Sequence, residues 1–226
     1  ADATLGTGFL MANYSNSLFL PEKRIVGLAF DIDGRLVDFP YVGIETFVGN
    51  LAEFDVVGSR FYTRPLLITD IPIIKNIQLG ATVAADTGPD TNYEFVDDGS
   101  SYGPDSVSMY SFDFIQPLLN SQAFSLSLYG DAAFQPGGEN LNNGLLVGIG
   151  GNALSFLSYG FNTLFLGDNF VPFYFDGTYD LYRQSKYEIY SGKTEVPEYA
   201  GWQAKLGFNL LNNTLVFNST LDAAFS

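Results

Sequence analysis

The feature that most constrains this fold is a long alternation of apolar and polar side chains at residues 121–134. The even-numbered positions from Phe124 to Phe134 are apolar or glycine, and the odd-numbered positions from Ser125 to Asp131 are polar. A period of two predicts a β-strand, because successive side chains of a strand point to opposite faces. The apolar face continues without a charge over the roughly 9–11 residues that a tilted strand needs to cross a bilayer.

The same alternation recurs along the chain, with turn residues between the alternating segments. Strands are expected at residues 5–14, 24–31, 41–49, 54–64, 76–86, 105–115, 121–134, 145–149, 154–166, 171–182, 200–210 and 214–225. Short connections favour antiparallel neighbours. The prediction is therefore all-β: one domain over residues 1–226, forming an antiparallel up-and-down transmembrane β-barrel of about 12 strands.

Composition supports a surface in contact with lipid. Charged residues make up 15% of the chain, well below the usual quarter, and aromatic residues make up 16%. No apolar run is long enough for a transmembrane helix. The strands are the segments that remain for crossing a membrane.

The two faces of the expected strands predict two sets of residues. The apolar faces are expected to meet lipid, with partners among membrane lipids, and ten residues represent them: Leu79, Val83, Phe112, Phe124, Leu126, Leu128, Phe161, Phe175, Leu206 and Phe217. The charges on the polar faces are then expected to line a lumen. They are Asp31, Glu45, Arg60, Arg64, Asp113, Asp131, Asp176, Asp180, Lys205 and Asp222.

A soluble barrel or sandwich has the same alternation, so periodicity alone leaves it open. Three features favour the membrane: apolar faces almost free of charge, aromatic residues near strand ends, and polar faces rich in Gly and Ser instead of Lys and Glu. A soluble ligand-binding barrel therefore ranks behind the membrane barrel.

The chain resembles bacterial outer-membrane β-barrel proteins. The resemblance rests on Gly-rich and aromatic strands, acidic loops and the absence of Cys, and residues 57–66 (VGSRFYTRPL) are similar in texture to uncharacterised spirochaete barrel proteins. It implies localisation in the outer membrane of a diderm bacterium. The chain departs from that pattern at its end, where Ser226 follows Phe225, so a part of a larger barrel is expected as an alternative.

Several functions are excluded or disfavoured by residue content. The chain has no His, which removes Ser-His-Asp catalysis and His-based metal sites, so we expect no enzyme, metal or cofactor. The net charge of −15 argues against nucleic acid as a partner. Asp31-Ile32-Asp33-Gly34 begins like a calcium loop, but Val42 stands where the bidentate Glu belongs.

The predicted function is a porin-like passive channel for small cations or polar solutes, because the expected lumen residues are mostly acidic. The alternative is a closed structural or binding barrel in which the arginines tie the carboxylates together. Residues 87–104, rich in Asp, Gly and Ser, are expected to form an exposed, mobile loop.

Overall fold

The fold is dominated by one antiparallel sheet of ten strands. The computed structural model describes residues 12–13, 28–49, 54, 56–89, 106–121, 123–137, 140–154, 156–176, 179–210 and 215–225. The sheet strands are β2 (Leu28–Asp33), β3 (Val42–Val48), β4 (Val56–Thr63), β5 (Gln78–Asp86), β6 (Val107–Asn120), β7 (Ser125–Gly137), β8 (Asn140–Ala153), β9 (Leu157–Leu166), β11 (Tyr199–Leu210) and β12 (Leu215–Ala224). The predicted all-β, antiparallel class is confirmed.

The strands lie in the sheet in the order in which they follow one another along the chain. Each strand pairs with its sequence neighbour, and β9 pairs with β11 across a long intervening segment. β2 and β12 form the two edges and do not pair with each other in the part of the chain that the structure describes. The described strands therefore form an up-and-down sheet that is not closed.

The strand predicted at residues 171–182 is wrong. This region forms turns, the two-residue strand β10 (Phe175–Asp176) and the start of helix α1 (Tyr179–Tyr190). β10 pairs in parallel with β1 (Ala12–Asn13) outside the main sheet. Much of the strands predicted at residues 5–14 and 24–31 lies outside the described residues, as do residues 90–104 of the predicted loop.

Residues 167–198, which we call the plug segment, fold back over one face of the sheet. Tyr174, Phe175, Tyr179 and Tyr190 of this segment are almost fully buried. They form one hydrophobic cluster with strand side chains: Phe47, Val56, Ala84, Val107, Met109, Ala133, Leu146 and Leu164. The hydrophobic core of the described residues therefore lies between the plug segment and one face of the sheet.

The plug segment defines two ends of the sheet. At the plug end, β5 ends at Asp86, β6 begins at Val107 and β7 ends at Gly137. We call the opposite end the turn end. The strands are connected there by residues 34–41, 64–77, 121–124 and 154–156. A 3-10 helix (Gly34–Val37) lies in the first of these connections. No helix in the described ranges is long and apolar enough to cross a membrane.

Glycine allows the plug segment to approach the sheet closely. A Cβ atom on Gly137 would overlap the backbone carbonyl oxygen of Tyr190. The Tyr190 hydroxyl donates to the Pro136 carbonyl at 2.8 Å, which keeps the end of α1 against the same strand. Neither backbone can yield without displacing the plug segment from β7.

We predict that Gly137→Ala destabilises the fold by about 1–3 kcal/mol, because the new methyl group must push the two backbones apart. Gly160→Ala is the matched control, since the nearest atom to its Cβ position is 3.5 Å away. Urea unfolding of the wild type and both variants measures the effect on the free energy of unfolding. Equal stability of the two variants would contradict the close approach of α1 to β7.

Candidate functional site on one face of the sheet

Every charged residue of the ten sheet strands lies on the same face, which we call the charged face. Directly paired residues of neighbouring antiparallel strands share a face. The register pairs Asp31 with Glu45, Glu45 with Arg60, and Asp113 with Asp131. The charged residues of the strands are Asp31, Asp33, Glu45, Arg60, Asp86, Asp113, Asp131, Lys205 and Asp222.

The other face, which we call the apolar face, carries none of the charged residues of these ten strands. Nine of the residues predicted to face lipid lie on it: Leu79, Val83, Phe112, Phe124, Leu126, Leu128, Phe161, Leu206 and Phe217. Phe112 and Phe217 are more than half exposed. The prediction for Phe175 is wrong, because this side chain is fully buried within the plug segment.

Arg60 forms the centre of an ion cluster on the charged face. Its Nε and Nη2 atoms donate to the two carboxylate oxygens of Asp113 at 2.9 and 2.7 Å, and Nη1 donates to Glu45 at 3.1 Å. The Arg60 side chain is 1% exposed, and its guanidinium lies 5.0 Å from the centre of the Tyr62 ring. The ion pair passes directly over Gly80, where a Cβ atom would overlap both side chains.

A second cluster lies at the turn end, around Asp33. Arg64 donates to its two carboxylate oxygens at 3.2 and 2.6 Å, and Arg35 donates to one of them at 2.6 Å. Arg64 also donates to the Pro40 carbonyl at 2.9 Å. Asp33 therefore holds two guanidinium groups close together, and the connection after β2 is fixed to the end of β4.

A row of polar side chains crosses β7, β9 and β11 on the charged face. The Tyr129 hydroxyl donates to the Asn162 amide oxygen at 2.6 Å, and Asn162 lies beside Gln203. Gln203 is paired with Asp222 on β12. Lys205 reaches the plug segment, where its Nζ atom lies 5.9 Å from the centre of the Phe173 ring. The row extends to the edge strand β12, and Lys205 beside it lies near the plug segment.

A buried ion pair attaches helix α1 to the end of β5. Arg183 donates to both carboxylate oxygens of Asp86, at 2.7 and 2.5 Å, and also to the Gly88 carbonyl. The Tyr179 hydroxyl donates to the same carboxylate. Both charged side chains are at most 1% exposed. Burial and the neighbouring negative charge raise the pKa of Tyr179, so this hydroxyl stays protonated and remains a donor.

Two further contacts secure the plug segment. Gln135 donates to the Val171 carbonyl at 2.6 Å and accepts from the Val171 N–H at 3.0 Å, so β7 and the plug segment exchange a pair of hydrogen bonds. Lys186 donates to the Tyr174 carbonyl at 2.7 Å and forms an ion pair with Asp176 at 3.1 Å. Burial lowers the pKa of Lys186, and the Asp176 charge opposes that shift.

Most of the residues predicted to line a lumen lie on the charged face, and Asp176 and Asp180 are the exceptions. The structure brings Glu45, Arg60 and Asp113 into one cluster. Asp176 belongs to β10, and Asp180 is the second residue of α1. Asp86 and Arg183 were missed as site residues. The sequence does contain a signal for the helix that carries Arg183. The three- and four-residue spacing of one helical face is followed by Tyr179, Arg183, Tyr187 and Tyr190.

The arrangement is an ionic network that holds elements together. Within the described ranges, no group of three or more acidic residues has the geometry to hold a metal ion. The clusters join strands to one another and the plug segment to the sheet. No family model, curated protein or solved structure matches this chain. The argument for function therefore rests on the geometry.

We predict that Arg60→Leu destabilises the fold by about 3–5 kcal/mol, because it leaves buried carboxylates without their cation. The double variant Arg60→Leu/Asp113→Leu should recover much of this loss. Arg35→Leu is the control, since the Arg35 side chain is 70% exposed. Denaturant unfolding of the wild type, the two single variants and the double variant gives the coupling free energy between Arg60 and Asp113. Additive changes in the free energy of unfolding would contradict the cluster.

Proposed function

We propose that this chain forms a β-barrel in the outer membrane of a diderm bacterium, with lipid against the apolar face and the charged face turned inward. The observation that carries this proposal is the complete segregation of charge on the ten strands. A charged side chain near the bilayer centre costs about 2–4 kcal/mol in such a barrel, so a surface in contact with lipid excludes charge.

Exposure of the apolar face favours lipid over water. Monomeric soluble proteins rarely expose a continuous apolar surface larger than a few hundred Å². Here nine of the ten sheet strands carry exposed Phe, Leu, Ile or Val side chains, and Leu126, Leu128 and Phe134 on β7 are half-buried. Aromatic pairs lie near both ends of this surface: Tyr110 and Phe134 stack at the plug end, and Phe124 and Tyr159 stack at the turn end. Outer-membrane barrels carry such aromatic girdles at both interfaces.

Strand directions are compatible with closure. β2 ends at the turn end and β12 begins there, so the two edge strands run antiparallel to each other, as an even number of strands requires. Unpaired edges cannot lie in lipid, since no water is available to satisfy their N–H and C=O groups. We propose that the two edges come together, directly or through other strands, with their charged residues inside.

For the interior, the geometry favours the closed structural or binding barrel over the open channel. A barrel of about eight strands is already filled by its side chains, and open aqueous pores need about 16. The Arg60 cluster joins β3, β4 and β6 on the charged face, and the plug segment covers one end of that face. We propose that this interior is closed in the conformation described above.

A cation-favouring channel is the second candidate. Acidic residues outnumber basic ones on the charged face, and Asp31 and Asp222 are exposed near the two edges of the sheet. A narrow interior of this sign would concentrate cations and repel anions. In this candidate, displacement of the plug segment opens the path.

We predict that Leu206→Arg lowers the stability of the membrane-inserted barrel by about 2–4 kcal/mol, because it introduces a charge on the lipid side. Gln203→Arg, on the same strand, is the matched control, since it lies on the charged face opposite Asp222. Heat-modifiable gel migration after folding into vesicles measures insertion. Equal tolerance of the two variants would contradict the assignment of the faces.

We predict that replacing residues 167–198 by an Asn-Gly turn leaves the strands able to pair, because Leu166 and Tyr199 are already direct partners. In planar bilayers, the intact chain should show little conductance, and the shortened chain should conduct with cation preference. The control is the same deletion with Asp31→Asn and Asp222→Asn, which should lower the cation preference. A high conductance of the intact chain would reject the closed barrel, and anion preference of the shortened chain would reject the second candidate.

A further inference from the structure

A cavity of about 430 Å³ lies at the turn end, away from the plug segment. The connection after β2, the connection between β4 and β5, and the last residues of β6 surround it. Its basic and amide side chains are Arg35, Arg64, Asn76, Gln78 and Asn120. The other lining residues are Pro40, Leu67, Pro72, Pro117, Leu118 and Leu119.

The charge of this cavity is opposite to that of the chain as a whole. The chain has 10 basic and 25 acidic residues, yet two arginines and no acid are among the described residues that line the cavity. Asp33 accepts hydrogen bonds from both arginines but is not itself a lining residue. The residues that line the cavity therefore carry only positive charge, although carboxylates lie behind them.

The guanidinium groups are held in place before any ligand binds. Arg64 is fixed by Asp33 and the Pro40 carbonyl, and its side chain is 15% exposed. Arg35 is held by Asp33 through its backbone N–H and through its guanidinium group. Arg35 donates to Asp33 through Nη2, and its side chain is 70% exposed, so its other N–H groups are accessible to a ligand. Fixed donors lose little entropy when they bind an anion.

The remaining wall is apolar. Leu67, Leu118 and Leu119 line it together with prolines, and the same β4–β5 connection exposes Ile68 and Ile71. Cavities of roughly 300–1,000 Å³ with apolar walls and a few placed polar groups are the usual form of small-molecule sites. A ligand that fits both parts carries an anionic group at one end and an apolar body at the other.

We infer that this cavity binds an organic anion with an apolar body, whose anionic group contacts Arg35 and Arg64 and whose apolar part lies against Leu67, Leu118 and Leu119. A phosphorylated alkyl compound has this chemistry, either as a membrane lipid or as a smaller solute. The site requires only the turn end of β2–β6, so it is independent of whether the interior conducts.

Hexyl phosphate is the probe, titrated calorimetrically into the purified full chain in a nonionic detergent. We expect binding that hexylammonium does not reproduce. Arg35→Ala should weaken the affinity for hexyl phosphate about tenfold, as expected for loss of a charge-assisted contact. Lys193→Ala, which removes an exposed positive charge in the plug segment, should leave it unchanged, and circular dichroism checks that every variant is folded.

Two results overturn the inference: equal affinities for hexyl phosphate and hexylammonium, or an unchanged affinity in folded Arg35→Ala. The source of the ligand is tested by organic extraction of the purified chain. An anionic phospholipid that co-purifies with the wild type and is depleted in Arg35→Ala supports a lipid ligand. Binding of hexyl phosphate without any co-purified lipid supports a smaller solute.

Discussion

Segregation of charge between the two faces of one sheet is the constraint on which the rest of this structure depends. A face without any charge leaves every charged strand residue on the opposite face, where side chains are crowded and partly removed from water. A charge without a partner there would raise the free energy of the folded state. Arg60 meets this requirement by bonding to Asp113 with two of its nitrogens and to Glu45 with the third. The ionic network is a consequence of the apolar face.

The plug segment also pairs the charge that it buries. Its tyrosines supply the hydrophobic area that covers the strand side chains at one end, and its one buried guanidinium pairs with the carboxylate of Asp86. Buried ion pairs contribute little net stability compared with apolar residues, because desolvation offsets their attraction. However, any position of α1 that separates the two charges leaves them buried without a partner, which costs free energy. We therefore interpret Arg183 as fixing the position of α1, with the tyrosine cluster providing most of the free energy that holds it.

The two ends of the sheet differ in chemistry. The plug end is closed by aromatic packing and a neutralised ion pair, whereas the turn end presents a cavity lined by two arginines and no acid, beside exposed isoleucines. In the proposed barrel, the plug segment would cover the interior at one end, and the inferred anion site would lie at the other. That division is the reason for proposing a structural or binding role instead of free passage of solutes, and the proposed open pore would require the plug segment to move.

The sequence by itself determined most of the strands and their faces. Alternation is a local property: Leu126 and Ser127 point to opposite sides of any strand that contains them. Each strand has one apolar and one polar face, so placing every apolar face on one side of the sheet put Asp31, Glu45, Arg60 and Asp131 on the other side without knowledge of the register. The same reasoning failed at Phe175 and Asp180, because residues 171–182 also fit an alternating pattern over a short window, and the helical spacing appears only when Tyr187 and Tyr190 are included.

Only the tertiary structure decided which charges meet. Arg60 and Asp113 are 53 positions apart, and Asp86 and Arg183 are 97 apart. Their contacts depend on the register of several strands and on the path of the plug segment, and a shift of one residue in either would separate them. Whether the charged face is filled or open is likewise a property of the assembled sheet, because it depends on what folds over that face and not on any residue within it.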